Sequence, residues 1–186
     1  NTVDDPFVAD EGDLFDVEDW MLAEGVSITN WNSASWVKAT KVENDGDPDD
    51  VLQTYMALLP IYSSRLRREL EAAGVSGIQY LPIRVLRPDD SEIPGYAIAN
   101  VVNKIAALDF ERSRYTLFPA DWIIEERRGD VWTIERPVLL ASALGGHHII
   151  RLEEHTSSLF VSEHFKQVFE DGGFSGYSFR EVALSR

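Results

Sequence analysis

The stretch YSSRLRRELEAAGVSGIQY at residues 62–80 returns in altered form as VSEHFKQVFEDGGFSGYSF at residues 161–179. Five of the 19 aligned residues are identical, and Ser63 and Gly74 mark the two ends of the helical part in the first copy. A serine before a helix accepts a hydrogen bond from the exposed backbone N–H groups of the first turn. A glycine after the helix adopts the left-handed conformation that ends it. The pattern therefore predicts two similar units, each a helix, a glycine and a short strand.

The apolar residues of both helices recur at helical spacing, with Leu66 and Leu70 in the first helix and Phe165 and Phe169 in the second. Between the units, short apolar segments separated by turn residues indicate strands. We predict strands at 37–42, 78–85, 96–102, 122–126, 131–135 and 148–152, a helix at 51–58 and one helical turn at 104–108. The strand with Pro82 should lie at a sheet edge or a bulge. The predicted fold class is α+β, with a mostly antiparallel central sheet covered by the two units.

Charge is the most unusual property of the composition. Seventeen basic and 32 acidic residues give a net charge of −15, which argues against binding to nucleic acid or to an anionic membrane surface. The charge favours a basic protein partner, although solubility alone is the alternative explanation. Acidic and apolar residues alternate over 1–19, so we expect an acidic N-terminal arm there, followed by a single domain over 20–186. No apolar run approaches the roughly 20 residues that span a bilayer, and the expected location is the cytoplasm.

The sequence carries no catalytic signature. It lacks cysteine, a G-x-S-x-G motif and a phosphate-binding loop. His147 and His148 lie near Glu153, Glu154 and His155, but adjacent side chains on a strand point to opposite faces, so both histidines cannot bind one metal ion without a bend. His148 could still meet an acidic side chain from elsewhere in the chain. We predict no catalytic, cofactor-binding or metal-binding residues. A hydrolase or lyase that uses a pair of carboxylates remains an alternative, because such a pair leaves no sequence motif.

Candidate partner-binding residues are acidic or aromatic and lie in polar stretches. The segment from 43 to 50 is the densest acidic run, and its last aspartates are also suited to cap the next helix. Two further acids end the predicted strand at 122–126, and two tryptophans lie among Asn, Ser and Thr. The predicted set is Asp45, Asp47, Asp49, Asp50, Glu125, Glu126, Trp31 and Trp36.

Several landmarks in order resemble a known family. They are Tyr80-Leu81-Pro82-Ile83, the strand Tyr96–Val102, the string Ala107-Leu108-Asp109-Phe110-Glu111-Arg112-Ser113, and Leu159-Phe160-Val161-Ser162 before the last helix. This order is similar to that of the immunity proteins of bacterial polymorphic toxin systems, in the family named for a myxobacterial immunity protein. The resemblance covers most of the chain from Trp20 onward.

The resemblance implies a cytoplasmic, non-enzymatic protein that binds and neutralises a cognate toxin made by the same bacterium. It implies no catalytic residues and no cofactor. We expect Asp109 to fix a loop rather than to contact the toxin. The alternative from the residues alone is an interaction or regulatory module built from the repeated unit, without a toxin partner. The sequence does not predict the oligomeric state.

Overall fold

The computed structural model describes residues 8–15, 17–40, 48–54 and 59–186, and strands predominate in this part of the chain. The α-helices are α1 (Asp19–Ala23), α2 (Ser64–Ala72) and α3 (Glu163–Asp171). The strands are β1 (Val8–Asp13), β2 (Trp36–Thr40), β3 (Val51–Thr54), β4 (Ile61–Ser63), β5 (Ile78–Pro82), β6 (Arg84–Leu86), β7 (Glu92–Ile93), β8 (Tyr96–Val101), β9 (Lys104–Ile105), β10 (Arg114–Leu117), β11 (Val131–Arg136), β12 (Val138–Leu140), β13 (Ile149–Leu152), β14 (Leu159–Val161) and β15 (Ala183–Ser185). Short 3₁₀ helices lie at Glu125–Arg127 and Ala141–Ala143.

Eight strands form the largest sheet, in the order β5-β8-β4-β3-β1-β2-β6-β7. Its neighbours are antiparallel except for the parallel pairs β1/β3 and β2/β6. Only Ile83 separates β5 from β6, although the two strands lie far apart in this order, so the sheet curls back toward its own end. The remaining described strands form the separate sheets β10-β11, β12-β15 and β14-β13-β9. The α+β class is confirmed, but several mixed and antiparallel sheets replace the predicted single central sheet.

The N-terminal ends of α2 and α3 are built in the same way. The Ser63 Oγ accepts a hydrogen bond from the backbone N–H of Leu66 at 3.1 Å, and the Ser162 Oγ accepts one from Phe165 at 3.2 Å. Each serine thereby satisfies one N–H group that the first helical turn leaves without an intrahelical partner. The predicted helix starts are confirmed.

The C-terminal ends of α2 and α3 also match. Gly74 has a φ of 78° and Gly173 a φ of 60°, the left-handed region that glycine enters at little cost. In both units the residue after this glycine donates its N–H to a carbonyl five residues back, and the glycine donates to one three residues back. These bonds are Val75 to Leu70 at 2.9 Å, Phe174 to Phe169 at 3.2 Å, and 3.0 Å for both Gly74 to Glu71 and Gly173 to Glu170.

The two units differ in the structure of the chain that follows each helix. The chain after α2 continues into β5, whereas no strand follows α3 until β15. A Cβ at Gly176 would lie 2.2 Å from the carbonyl oxygen of Val51, and the Val51 N–H bonds to the Ser175 carbonyl at 3.0 Å. Because this turn is bound to β3, the following residues do not continue as a paired strand. The strand predicted directly after the second helix is therefore wrong.

Three other predicted elements need correction. Residues 51–54 form β3 rather than a helix, with burial at three of four positions, while 55–58 lie outside the described residues. Residues 104–105 form β9 rather than a helical turn. The segment 122–126 is not a strand, and β11 pairs instead with β10. Short apolar runs fit helix and strand equally well, and pairing with distant strands decides between them.

β5 pairs antiparallel with β8, although β6 and β7 lie between them in the chain. The predicted edge position of the strand that contains Pro82 is confirmed. Residues 8–13 form β1, which pairs with β2 and β3 inside the eight-stranded sheet. The division of the chain into an arm at 1–19 and a domain at 20–186 stays a prediction.

Buried side chains form three clusters. The first includes Leu22, Val37, Leu52, Leu81 and Ile98. The second includes Tyr62, Leu66, Leu70, Phe165 and Phe169, so α2 and α3 share one core, as their spacing predicts. The third includes Leu108, Val131, Leu139 and Leu152, with Tyr115 and Ile134 packed against it.

Arg151 ties α1 to β13. Its side chain is buried, and its guanidinium donates to the carbonyl oxygens of Ala23 at 2.6 Å, Val101 at 3.2 Å and Leu22 at 3.3 Å, and also to that of Thr156. Burial lowers the pKa of Arg151 to about 10. Carbonyl oxygens at the C-terminal end of α1 are suited to a cation, so this arginine has a structural role.

Candidate functional site

The strands β10 and β11 form a hairpin whose base is anchored in the third cluster. Tyr115 and Ile134 pack against that cluster, and Val131 is part of it. Across the two strands, the hydroxyl oxygens of Thr116 and Thr133 lie 2.7 Å apart and share a hydrogen bond. A two-stranded hairpin is marginally stable alone, and this packing supplies the support that it needs.

Three aromatic rings stack on the exposed side of this hairpin. Phe118 lies nearly parallel to Trp132, with 5.3 Å between ring centroids, and Trp122 is tilted against both at 5.3 and 5.4 Å. The guanidinium of Arg127 lies 4.9 Å from the centre of the Phe118 ring. Although it belongs to this stack, Trp132 remains 47% exposed.

Residues 118–130, here named the hairpin loop, are closed by backbone hydrogen bonds at their base. The Phe118 N–H donates to the Asp130 carbonyl at 2.9 Å, and the Gly129 N–H donates to Phe118 at 3.1 Å. Two ion pairs, Arg128–Glu125 at 3.0 Å and Arg127–Asp130 at 3.3 Å, join residues inside the loop. The loop therefore has a defined shape, which places Ile123 and Ile124 in solvent.

The predicted acidic residues fall in different environments. Asp45 and Asp47 lie outside the described residues. Asp49 is half-buried, and its backbone carbonyl accepts the Tyr96 hydroxyl at 2.7 Å. Glu125 and Glu126 are exposed and belong to the hairpin loop. Among the predicted acids, these two are brought together with exposed apolar side chains.

Asp50 links the two helix units. Its carboxylate accepts hydrogen bonds from the Ser63 hydroxyl at 2.7 Å, the Arg65 guanidinium at 2.6 Å and the Ser175 N–H at 3.3 Å. Arg65 in turn donates to the Gly172 carbonyl at 2.9 Å. The side chain of Asp50 is only 12% exposed. Most of its hydrogen-bonding capacity is therefore used within the protein.

Trp31 and Trp36, the two tryptophans of the predicted set, are partly buried. Trp31 packs against the first cluster and donates its ring N–H to the Pro82 carbonyl at 2.7 Å, and Trp36 is half-buried in β2. Trp20, at 55% exposure, and Trp132 are the more exposed ones. The contribution of Trp31 and Trp36 to partner binding stays a prediction. The aromatic stack was missed because 122–126 was predicted as a strand.

A loop is closed against β12 by the string at residues 108–113, Leu108-Asp109-Phe110-Glu111-Arg112-Ser113. The carboxylate of Asp109 accepts the N–H groups of Glu111 and Arg112, each at 3.1 Å. The hydroxyl of Ser113 bonds to both the N–H and the carbonyl of Val138, at 3.0 and 3.1 Å. A hydrogen bond with Ser185, together with these N–H groups, holds the pKa of Asp109 below its usual value. The expectation that Asp109 fixes a loop is confirmed.

The histidine region is divided among separate contacts. His148 lies against His164, with 4.6 Å between ring centroids, and its Nδ1 is 3.0 Å from the Ser162 hydroxyl. His155 bonds to the Ser158 hydroxyl at 2.8 Å. The carboxylate of Glu154 accepts N–H groups of the 107–108 backbone. Within the described ranges, no group of three His, Asp or Glu side chains could hold a metal ion.

A cleft of about 750 Å³ lies between β14, the start of α3 and the C-terminal segment. Its walls include Leu144, Phe160 and Phe179. Of its acidic residues, Glu163 pairs with Lys166 at 3.3 Å, and the Glu163 side chain is 82% exposed. A glycosidase-type mechanism needs one partly buried carboxyl group beside another, and the side chain of Glu163 is solvated. None of the described helices could cross a membrane.

Comparison with protein families identifies a match over nearly the whole chain. The model of the Immunity protein family (Imm11) matches residues 8–184, nearly the whole chain. No curated protein sequence matches. The matched range extends the resemblance drawn from the sequence, which began at Trp20, to include β1.

Proposed function

Because this chain belongs to the Imm11 family of immunity proteins, we propose that it neutralises one cognate toxin of its own bacterium by occluding it with an acidic surface. Membership in an immunity family implies a toxin as partner. Immunity proteins of this kind act by binding, so the protein is not an enzyme. The family match over residues 8–184 is the observation that carries the proposal.

The charge supports a basic toxin surface as the target. A net charge of −15 accelerates encounter with a positive partner, and carboxylates that pair with its cations select that partner over others. The same charge disfavours nucleic acid and anionic membranes as ligands. We place the protein in the cytoplasm, where a toxin made by the same cell would first have to be silenced.

The proposed contacts with the toxin are the acidic and aromatic residues that the sequence predicts to bind a partner. They are Asp45, Asp47, Asp49, Asp50, Glu125, Glu126, Trp31 and Trp36. Of these, Glu125 and Glu126 are the best suited, because both are exposed and lie beside apolar side chains of the hairpin loop. Asp50 is less suited to mutational tests, since its loss would also break the bridge between Ser63 and Ser175.

The test measures binding to the toxin domain encoded beside this gene, in a catalytically inactive form, at several salt concentrations. We expect the Kd to rise about tenfold between low and physiological ionic strength, because salt screens exposed charges. The double variant Glu125→Gln/Glu126→Gln should bind more weakly and lose part of this salt dependence. The control variant Glu69→Gln/Asp171→Asn removes two exposed charges from α2 and α3.

Equal effects in both variants would assign the salt dependence to net charge rather than to this surface. Absence of any binding by the unmodified protein would overturn the proposal itself, and self-association without a toxin would favour the alternative of a regulatory module.

A further inference from the structure

We infer that the hairpin loop inserts its apolar tip into a hydrophobic pocket on the toxin that is bordered by basic residues. This inference rests on the proposed function and names the part of the surface that makes the central contact. The loop is distinct from the acidic run at 43–50.

The tip of the hairpin loop exposes large apolar side chains next to one another. Ile123 is 86% exposed and Ile124 52%, and they directly follow Trp122. Trp132, which packs on Trp122, is 47% exposed. Single exposed apolar residues are common on proteins, but adjacent ones joined to an aromatic stack form a patch. Binding energy concentrates in such patches, where tryptophan is enriched and water can be excluded.

The hairpin loop is organised before any partner binds. Its base is closed by the backbone bonds between Phe118 and residues 129–130, and Arg128 donates to the Trp122 carbonyl at 2.8 Å. The stacking of Trp122 on Trp132 and Phe118 fixes the side chains as well. A loop that already has its bound shape loses little conformational entropy on association, so more of the contact energy remains as affinity.

The charges of the hairpin loop indicate a basic partner. Both of its arginines are paired inside the loop, Arg127 with Asp130 and Arg128 with Glu125. Asp121 and Glu126 are exposed, and neither has an ion-pair partner among the residues that the structure describes. The charge that the tip offers to a partner is therefore negative. A pocket bordered by lysine or arginine would complement it.

A second copy of this chain fits the loop less well. In a symmetric dimer through the tip, the same patch would meet itself, so Asp121 and Glu126 would approach their own copies. Like charges in an interface destabilise it, whereas a basic toxin would compensate the same carboxylates. The charge thus favours a heterologous partner over self-association.

The test compares the full-length protein with the double variant Ile123→Ser/Ile124→Ser, using the inactive form of the toxin domain encoded beside the gene. We expect the Kd to increase about 30-fold or more, because two central apolar contacts are lost. The matched control is Leu184→Ser, which removes a side chain that is 56% exposed but lies on β15. The control should keep its Kd within about threefold. Thermal melts of both variants should stay near that of the unmodified protein, since both sites are exposed.

The possible results separate the two proposals. If the unmodified protein does not bind the toxin, the proposed function fails. If it binds and the Ile123→Ser/Ile124→Ser variant binds equally well, only the role of the hairpin loop is refuted. If the unmodified protein elutes as a dimer and this variant as a monomer, the tip is a self-association surface and the inference is overturned.

Discussion

Tyr62 and Tyr177 join the start of the first unit to the part of the second unit that follows α3. Their hydroxyl oxygens lie 3.0 Å apart, and their rings meet edge to face at 6.0 Å. Burial raises the pKa of Tyr62 well above its usual value and that of Tyr177 to about 12. The folded protein therefore holds both phenols in the neutral form at pH values where the unfolded chain begins to ionise them.

This pair predicts a loss of stability in alkaline solution. Because the folded pKa is raised, the stabilisation is complete below pH 10 and is lost as the pH rises toward 12. From Tyr177 alone, the free energy of unfolding should fall by about 2 kcal/mol over this interval. The measurement is urea unfolding of the unmodified protein and of Tyr62→Phe/Tyr177→Phe at pH 8 to 12. The double variant lacks both phenols, so an equally steep fall in it would contradict the assignment.

At the residue scale, the sequence predicts what is local and misses what is distant. Ser63 and Gly74 could be assigned because a helix cap bonds to residues three or four positions away. The role of Asp50 could be predicted only in part. Its position before an expected helix suggested a cap, but its bond to Ser175 joins residues 125 positions apart. No local pattern reports such a contact.

Helix α3 gives a direct test at the scale of the element. Phe169 is 3% exposed and its ring lies 5.4 to 5.7 Å from those of Phe174, Tyr177 and Phe179. Phe169→Ala should lower the free energy of unfolding by about 3 to 5 kcal/mol, because it leaves a cavity in the second cluster. Chemical denaturation measures this change. Phe110→Ala, at a site that is 46% exposed, should cost under about 1 kcal/mol, and equal losses would show that α3 is not packed as described.

The repeated pattern predicts two equivalent elements, and the structure confirms them only as far as the turn. Both helices begin at a serine N-cap, are followed by a left-handed glycine and face the same cluster, since these features depend on nearby residues. The strand after the second helix is missing because Gly176 packs on β3, a contact outside the repeat. Of the hairpin formed by β10 and β11, the sequence predicts only the second strand. The first strand is β10, and Trp122, predicted in a strand, belongs to the loop.

At the scale of the whole molecule, the prediction of function depended on the order of landmarks rather than on chemistry. In the most recognisable string, the Asp109 carboxylate orders the loop and the Ser113 hydroxyl fastens the loop to Val138. The family can therefore be recognised from residues that maintain the fold. The partner-binding surface leaves no comparable pattern, because it must match one toxin and need only be exposed.

A titration of toxin activity tests most directly the claim that this protein neutralises its toxin by binding it. Increasing amounts of the protein are added to a fixed amount of the active toxin domain encoded beside its gene, and the remaining activity is measured. We predict a linear fall that reaches baseline near one equivalent, as a tight stoichiometric inhibitor gives. Full toxin activity in the presence of excess protein would show that the protein does not neutralise this toxin. Complete loss of activity at a small fraction of an equivalent would require catalytic turnover and would contradict neutralisation by binding.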